Sequence, residues 1–233
     1  MPGLRFPFIQ IAGVRNQAEA KLLEECGVGY LGFPLRLPVH KEDASEAEVS
    51  RMAAEITPPS ESVLITYLDD PEEIAALVDR LGVRIVQLHG DIRSAALDRL
   101  RGLDPGLSII KSLVVGRKEP AELEADVIEM SPRVDAFLTD TWDPASGASG
   151  ATGKVHDWRV SRRLVEISPR PVILAGGLTP ENVAAAIREV RPAGVDSHTG
   201  VEDASGAKSR EKVERFVREA TEQFRRMRTE EGG

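Results

Sequence analysis

Residues 172–183 read VILAGGLTPENV, and this stretch contains the unit from which the fold is built. Its apolar beginning is short and rich in β-branched residues, which is typical of a strand buried on both faces. Two glycines end the strand, and Thr179-Pro180 then supplies a helix cap and a proline suited to the first helical turn. The apolar residues that follow recur at helical spacing, at Val183, Ala186, Ile187 and Val190. The stretch therefore predicts one strand followed by one amphipathic helix.

The same alternation of a short apolar run and an amphipathic segment recurs along the chain. Eight such runs in 233 residues leave about 29 residues for each unit of one strand and one helix, as a (βα)8 barrel requires. An open doubly wound sheet would instead need a glycine-rich fingerprint after its first strand, where residues 12–15 read AGVR. We therefore predict an α/β fold with a single (βα)8 TIM barrel over residues 1–227 and a flexible polar tail over residues 228–233. The predicted strands are 6–11, 30–35, 63–68, 85–88, 107–115, 136–138, 172–175 and 194–195.

The composition is that of a globular protein, with 41% hydrophobic and 29% charged residues. The net charge of −8 gives no basic surface for nucleic acid, and no apolar run approaches the ~18 residues of a membrane span. The single cysteine excludes an internal disulfide, and the four scattered histidines lack the spacing of a zinc site. The N-terminal residues do not resemble a secretory signal. We expect a cytoplasmic monomer or homodimer without bound metal that contacts neither nucleic acid nor membrane.

In barrels of this kind the active site lies at the C-terminal ends of the strands. His40, His89 and His198 fall at or just after strand ends, where each either takes part in catalysis or only hydrogen-bonds loop backbone. Asp140 ends the sixth strand and suits either a general acid with a raised pKa or a carboxylate that caps a loop. Lys111 on the fifth strand is expected to point into the barrel, where it forms a Schiff base or pairs with a carboxylate.

Glycines end both the seventh and the eighth predicted strands. Gly176-Gly177 and Thr199-Gly200 allow backbone N–H groups to approach a ligand closely, and barrels often bind phosphate between these two loops. The alternative is that these glycines only form tight turns. A further glycine-rich segment at residues 146–154 has the composition of a loop that closes over a substrate.

Several motifs, in their order and spacing, resemble the phosphoribosylanthranilate isomerase family of tryptophan biosynthesis. The most specific are VQLHG at residues 86–90 and AGGLTPENV at residues 175–183. The other matches extend over almost the whole chain and are IAGVRN at 11–16, GF at 32–33, IK at 110–111, FLTDT at 137–141, GATGK at 150–154, DW at 157–158, GVD at 194–196 and GVE at 200–202.

The resemblance implies a barrel that uses no cofactor and acts on a small phosphorylated sugar derivative. The family's reaction is an Amadori rearrangement, in which an N-linked aminoaldose becomes an aminoketose. Asp140 matches the position of the family's general acid, and the two glycine-bearing loops match its phosphate site. At the remaining strand ends we expect substrate contacts from Gln10, Arg36, His40, Gln87, Lys111 and Asp196.

The sequence departs from the family at the position of the general base. The family places a catalytic cysteine in a Lys-Ile-Cys-Gly motif, whereas residues 10–13 read QIAG, and Ala12 has no proton to exchange. The loop after the second strand, RLPVHK at 36–41, lacks the family's Ser-x-Arg context, and His198 replaces a serine of the eighth strand. We therefore predict a divergent paralogue in which His198 or His89 is the base. The alternatives are an aldolase or epimerase acting on another sugar phosphate and a binding protein without catalysis.

Overall fold

The computed structural model describes residues 3–38, 42–143, 148–149 and 155–231. Strands and helices alternate along these residues, as the sequence predicts. The strands are β1 (Phe8–Ala12), β2 (Tyr30–Leu35), β3 (Glu61–Thr66), β4 (Ile85–Leu88), β5 (Ser108–Val115), β6 (Ala136–Asp143), β7 (Ala148–Ser149), β8 (Val172–Leu174) and β9 (Gly194–Ser197). The helices are α1 (Gln17–Glu25), α2 (Glu46–Glu55), α3 (Pro71–Leu81), α4 (Ser94–Leu103), α5 (Pro120–Met130), α6 (Trp158–Ile167), α7 (Val183–Val190) and α8 (Arg210–Glu231), with a 3₁₀ turn at Thr199–Val201.

Eight of the strands form one closed parallel barrel. Their order is β1-β2-β3-β4-β5-β6-β8-β9, and β9 returns to β1, with Phe8 beside Gly194 and Ile11 beside Ser197. The short β7 lies outside this ring as an antiparallel partner of β6. The predicted (βα)8 barrel is confirmed, and the C-terminal ends of all eight strands consequently meet at one mouth.

Side chains alternate between two buried layers along each strand. One layer fills the barrel and includes Phe8, Tyr30, Ile110 and Leu138, with the rings of Phe8 and Tyr30 stacked 3.8 Å apart between centroids. The other layer packs the outside of the strands against the helices. Successive residues of a strand point to opposite faces. A polar residue two positions from a member of the interior layer therefore also faces the barrel axis.

The helices form the outer wall, and two of their ends differ from the sequence prediction. Thr179 Oγ1 accepts the Glu181 N–H at 3.2 Å and so stabilises a turn, while α7 begins later, at Val183. Helix α8 continues to Glu231, so the boundary predicted between barrel and tail at residue 228 falls inside a helix. Among the helices described here, none combines the length and apolar character needed to cross a bilayer.

Candidate active site

Four buried polar side chains face the barrel axis at the C-terminal half of their strands. They are Gln10 of β1, Gln87 of β4, Asp140 of β6 and Asp196 of β9. The residue two positions before each of the first three belongs to the interior layer, and Asp196 shares a face with Gln10 because the two are register partners. Gln10 Nε2–H donates to Gln87 Oε1 at 2.8 Å, and Gln87 Nε2 lies 2.7 Å from Nε2 of His89. The sequence predicts all five of these residues for the site, and the fold brings them together.

Asp140 and Asp196 are two carboxyl groups in a surrounding that disfavours charge. Burial raises the pKa of Asp140 to about 7, even though the Thr141 N–H donates to its Oδ1 at 2.7 Å. Burial and the negative charge of Asp140 raise the pKa of Asp196 to about 7. Asp196 Oδ1 is buried with no hydrogen-bond partner among the described residues. Since two carboxylates in one apolar pocket repel each other, the pair favours a protonated state and can supply a proton near neutral pH.

His89 is held as a neutral hydrogen-bond acceptor. Its ring stacks on Tyr67 with centroids 5.3 Å apart, and its Nε2 accepts from Gln87, whose own oxygen already accepts from Gln10. Burial, together with the nearby positive charge of Lys111, lowers the pKa of His89 to about 3. Because the lone pair on Nε2 is already engaged, the position argues against His89 as a general base.

His198 lies at the mouth, over the end of β1. A Cβ atom on Gly13 would lie 2.0 Å from His198 Nε2, and Gly13 has a φ of +77°, so both sterics and backbone require glycine there. The same Nε2 is 3.5 Å from Glu202 Oε1, and Glu202 also pairs with Nζ of the buried Lys208 at 2.8 Å. These contacts hold an imidazole next to the strand end at which Ala12 provides no ionisable group.

The two glycine-bearing loops meet beside the carboxyl pair. Ser197 Oγ–H donates to the Leu178 carbonyl at 2.8 Å, which joins β9 to the loop that follows β8. A Cβ atom on Gly200 would lie 1.9 Å from that carbonyl, so the close approach of the loops requires glycine. The predicted phosphate loops and the titratable groups line one pocket, formed by Asp140, Gly176, Gly177, Asp196, His198, Thr199 and Gly200.

Arg36 follows β2 but is engaged by carboxylates of its own βα unit. Its Nε–H donates to Glu46 Oε1 at 2.7 Å, and its backbone N–H donates to Glu42 Oε1 at 2.6 Å. Binding of a substrate carboxylate by Arg36 would therefore require exchange with Glu46. His40 and, in the glycine-rich segment, residues 146–147 and 150–154 lie outside the described residues.

Lys111 lies behind the barrel wall, so the expectation that it points into the barrel is wrong. Its strand neighbour Ile110 belongs to the interior layer, and alternation places Lys111 on the outer face. Lys111 Nζ donates to the carbonyls of Ser112 at 2.7 Å and Leu88 at 3.3 Å. The side chain therefore does not project into the barrel, although its charge acts on the neighbouring His89.

Two further groups are clear only from the structure. His156 Nδ1 lies 2.8 Å from Thr141 Oγ1 and its Nε2 lies 2.6 Å from Ser161 Oγ, so this histidine joins α6 to β6. Sequence reasoning misses the pairing of Glu202 with Lys208, because Lys208 lies in a polar stretch with no pattern that marks it as buried. Within the described ranges, no group of three or more His, Cys, Asp or Glu residues is arranged to hold a metal ion.

Comparisons with known proteins agree on one family. The profile of the N-(5'-phosphoribosyl)anthranilate (PRA) isomerase family matches residues 9–219. N-(5'-phosphoribosyl)anthranilate isomerase 2 of Methanosarcina mazei is 40% identical over 222 residues, which cover 94% of this chain and 96% of that protein. A structure of monomers derived from the dimeric enzyme of Thermotoga maritima superposes with a TM-score of 0.74 at 27% identity, covering 91% of this chain and 97% of that one. A phosphoribosylanthranilate isomerase in complex with reduced 1-(o-carboxyphenylamino)-1-deoxyribulose 5-phosphate superposes with a TM-score of 0.75 at 26% identity, with coverage of 91% and 97%.

Proposed function

The chain belongs to the phosphoribosylanthranilate isomerase family, and we propose that Asp140 is its general acid and His198 its general base. It is an aldose–ketose isomerase of a phosphorylated sugar derivative, and we propose phosphoribosylanthranilate as the substrate to test first. The observation that carries the assignment of the base is the position of His198, whose ring lies against Gly13 at the strand end where Ala12 replaces the family's cysteine.

The reaction needs one acid and one base and consumes no other reactant. Protonation of the ribose ring oxygen by Asp140 lets the C1–O bond break, which leaves a Schiff base at C1. Removal of the C2 proton by His198 moves the electron pair into a C1–C2 double bond and gives an enolamine. Its C2 hydroxyl then loses a proton as C1 gains one, and the aminoketose results with all atoms conserved.

The electrostatics of the carboxyl pair support Asp140 as the acid. A general acid works best when its pKa lies near the working pH, and burial raises the pKa of Asp140 to about 7. Asp196 lies in the same pocket, and its negative charge in the ionised state would keep the proton on Asp140. We propose that Asp196 positions this proton and that Gln10 orients Asp196 through its amide.

The carboxylate beside His198 supports it over His89 as the base. Glu202 is 3.5 Å from its Nε2, and a carboxylate at that distance stabilises the imidazolium that forms when the base takes a proton. Lys208 Nζ pairs with Glu202 Oε1 at 2.8 Å, and this ion pair fixes the orientation of the carboxylate. The lone pair of His89 Nε2 is instead engaged by Gln87.

The proposed phosphate site is the pocket formed by the glycine-bearing loops. Gly176-Gly177 and Thr199-Gly200 line it together with the carboxyl pair, so a phosphate bound there would place the sugar carbons near Asp140 and His198. Arg36 could bind the anthranilate carboxylate only after release of Glu46. We therefore propose that the aromatic end of the substrate displaces this ion pair on binding.

The first experiment follows turnover of phosphoribosylanthranilate and the incorporation of solvent deuterium at C1 of the product in D₂O. We expect His198→Gln to lower turnover by about 10²–10⁴, the usual contribution of a positioned base, with the matched variant His89→Gln losing less. Turnover of His198→Gln at the wild-type rate would contradict the assignment of the base. Saturable binding of the substrate by the wild type without turnover or exchange would instead support the alternative of a binding protein. The lack of an ionisable side chain at Ala12 favours that alternative.

The setting of the enzyme is also proposed. The biosynthetic family and the single cysteine support a cytoplasmic location, and the net charge of −8 argues against nucleic acid as a partner. We propose a monomer or homodimer, since the related enzyme of Thermotoga maritima is described as dimeric and has also been made monomeric.

A further inference from the structure

A cavity of about 590 Å³ lies beside the ends of β4 and β5, between α4 and α5. Its volume is in the range of pockets that hold small organic ligands. It is distinct from the pocket formed by the glycine-bearing loops, with which it shares no lining residue. Its walls include Leu113, Leu123 and Met130, and its polar lining includes His89, Arg93 and Lys111.

Lys111 gives this cavity a buried ammonium group without a carboxylate partner among its described contacts. The side chain is 6% exposed, and its Nζ donates only to backbone carbonyls, at 2.7 and 3.3 Å. Of the three carboxylates on the lining, Asp91 pairs with Arg117 at 2.8 Å and Asp126 with Lys118 at 2.6 Å, while Glu129 accepts a hydrogen bond from the Ser94 hydroxyl. A buried charge is costly unless an opposite charge compensates it, so this position favours an anion supplied from outside.

Other groups on the lining favour the same sign of ligand charge. The Nδ1 atom of His89 is buried without a hydrogen-bond partner in the described part of the chain, and with Nε2 acting as an acceptor it carries the hydrogen. Arg93 precedes α4 and makes no side-chain cap, while Ser94 and Ala95 of the first turn line the cavity. The positive end of the helix dipole therefore adds to the charge of Lys111.

We propose that this cavity is a binding site for a small apolar monocarboxylate. The carboxylate lies against Lys111 Nζ and the Nδ1–H of His89, and the hydrocarbon body packs against Leu113, Leu123 and Met130. Arg93, Lys111, Arg117 and Lys118 outnumber the three carboxylates on the lining by one, so the cavity favours a single negative charge on a hydrophobic body over inorganic phosphate or a neutral solute. Binding is predicted to weaken at high pH, because the pKa of Lys111 is lowered by burial to about 8.

The test uses the full chain with benzoate as the probe and benzamide as its neutral counterpart. Calorimetric titration at pH 7 should show saturable binding of benzoate and about tenfold to hundredfold weaker binding of benzamide, since a charge-assisted hydrogen bond is lost. Lys111→Met should weaken benzoate binding by a similar factor. Its fold should survive, because replacing a buried charge by an apolar residue of similar length is often neutral for stability. The exposed Lys21→Met is the matched control and should bind as the wild type does.

Two observations separate this cavity from the barrel mouth. In wild-type protein labelled on methionine methyl groups, the Met130 resonance should shift with benzoate, and the shift should fade as the pH rises above about 8. This measurement tests the proposal even where Lys111→Met fails to fold. Loss of benzoate binding in Arg36→Met with retention in Lys111→Met would assign the ligand to the mouth and overturn the proposal. Absence of saturable binding or of any Met130 shift would overturn it as well.

Discussion

Replacing Asp140 by asparagine should stabilise the protein while it removes the proposed acid. The carboxyl group is 5% exposed, and burial raises its pKa from 3.8 to about 7. A raised folded-state pKa means that the folded protein binds the proton more tightly than the unfolded chain does, so stability falls as the pH rises from about 4 to about 7. At about 1.4 kcal/mol per pKa unit, the ionised group costs at most about 4 kcal/mol at pH 8.

The variant therefore has a pH signature. At pH 5 the folded protein keeps its proton while the unfolded chain has lost it, and the cost is only about 2 kcal/mol. Asparagine avoids this cost at both pH values and keeps the acceptor for the Thr141 N–H. Asp140→Asn should thus exceed the wild type in free energy of unfolding by more at pH 8 than at pH 5, with the gain reduced by any hydrogen bond that the amide lacks. Loss of the Asp140 charge also removes its repulsion of the Asp196 carboxylate, which adds to the stability gained at pH 8.

Urea unfolding followed by circular dichroism at pH 5 and pH 8 measures the difference, and turnover is measured on the same samples. Asp203→Asn is the control, because hydrogen bonds from Ser205 lower the pKa of this exposed carboxyl, and the variant should not gain stability at either pH. An Asp140→Asn variant that is no more stable than the wild type at pH 8, or whose gain is equal at both pH values, would refute burial as the cause of the raised pKa. Full activity of the variant would refute its role as the acid.

Three further changes test the surroundings of His198. Gly13→Ala puts a methyl group where His198 Nε2 lies and strains a positive φ, so thermal denaturation should show a loss of roughly 1–3 kcal/mol in the free energy of unfolding; an unchanged melting temperature would contradict the packing. Glu202→Gln removes the carboxylate that favours the charged imidazole, so the acidic limb of the pH profile of kcat/KM should move to lower pH, and a stationary limb would disconnect Glu202 from the base. Ala12→Cys should partly rescue turnover of phosphoribosylanthranilate in the His198→Gln background, and failure of rescue would show that the rest of the site no longer orients this substrate.

The barrel and much of its mouth are predictable from the sequence because they depend on local patterns. Strands buried on both faces are short apolar runs, and a glycine pair followed by Thr179-Pro180 marks a strand end and an approaching helix. Four site residues can be predicted in the same way, because each lies at or near a strand end: Gln10, Gln87, Asp140 and Asp196.

The remainder depends on which face a side chain takes and on partners far along the chain. The direction of Lys111 follows from the strand register, which the sequence of an eight-residue strand buried on both faces leaves open. The proposed choice of His198 over His89 rests on the hydrogen bond of Gln87 to His89 and on the carboxylate of Glu202 beside His198. Neither contact has a sequence pattern of its own.

The close packing of His198 against Gly13 makes these positions interdependent in evolution. A serine at position 198 would place no ring over the end of β1. Once histidine occupies that space, the ring covers the strand end and any side chain at position 13 is excluded. Ala12, Gly13 and His198 are thus linked by packing, and homologous sequences that carry all three are the ones in which the proposed histidine base can be sought.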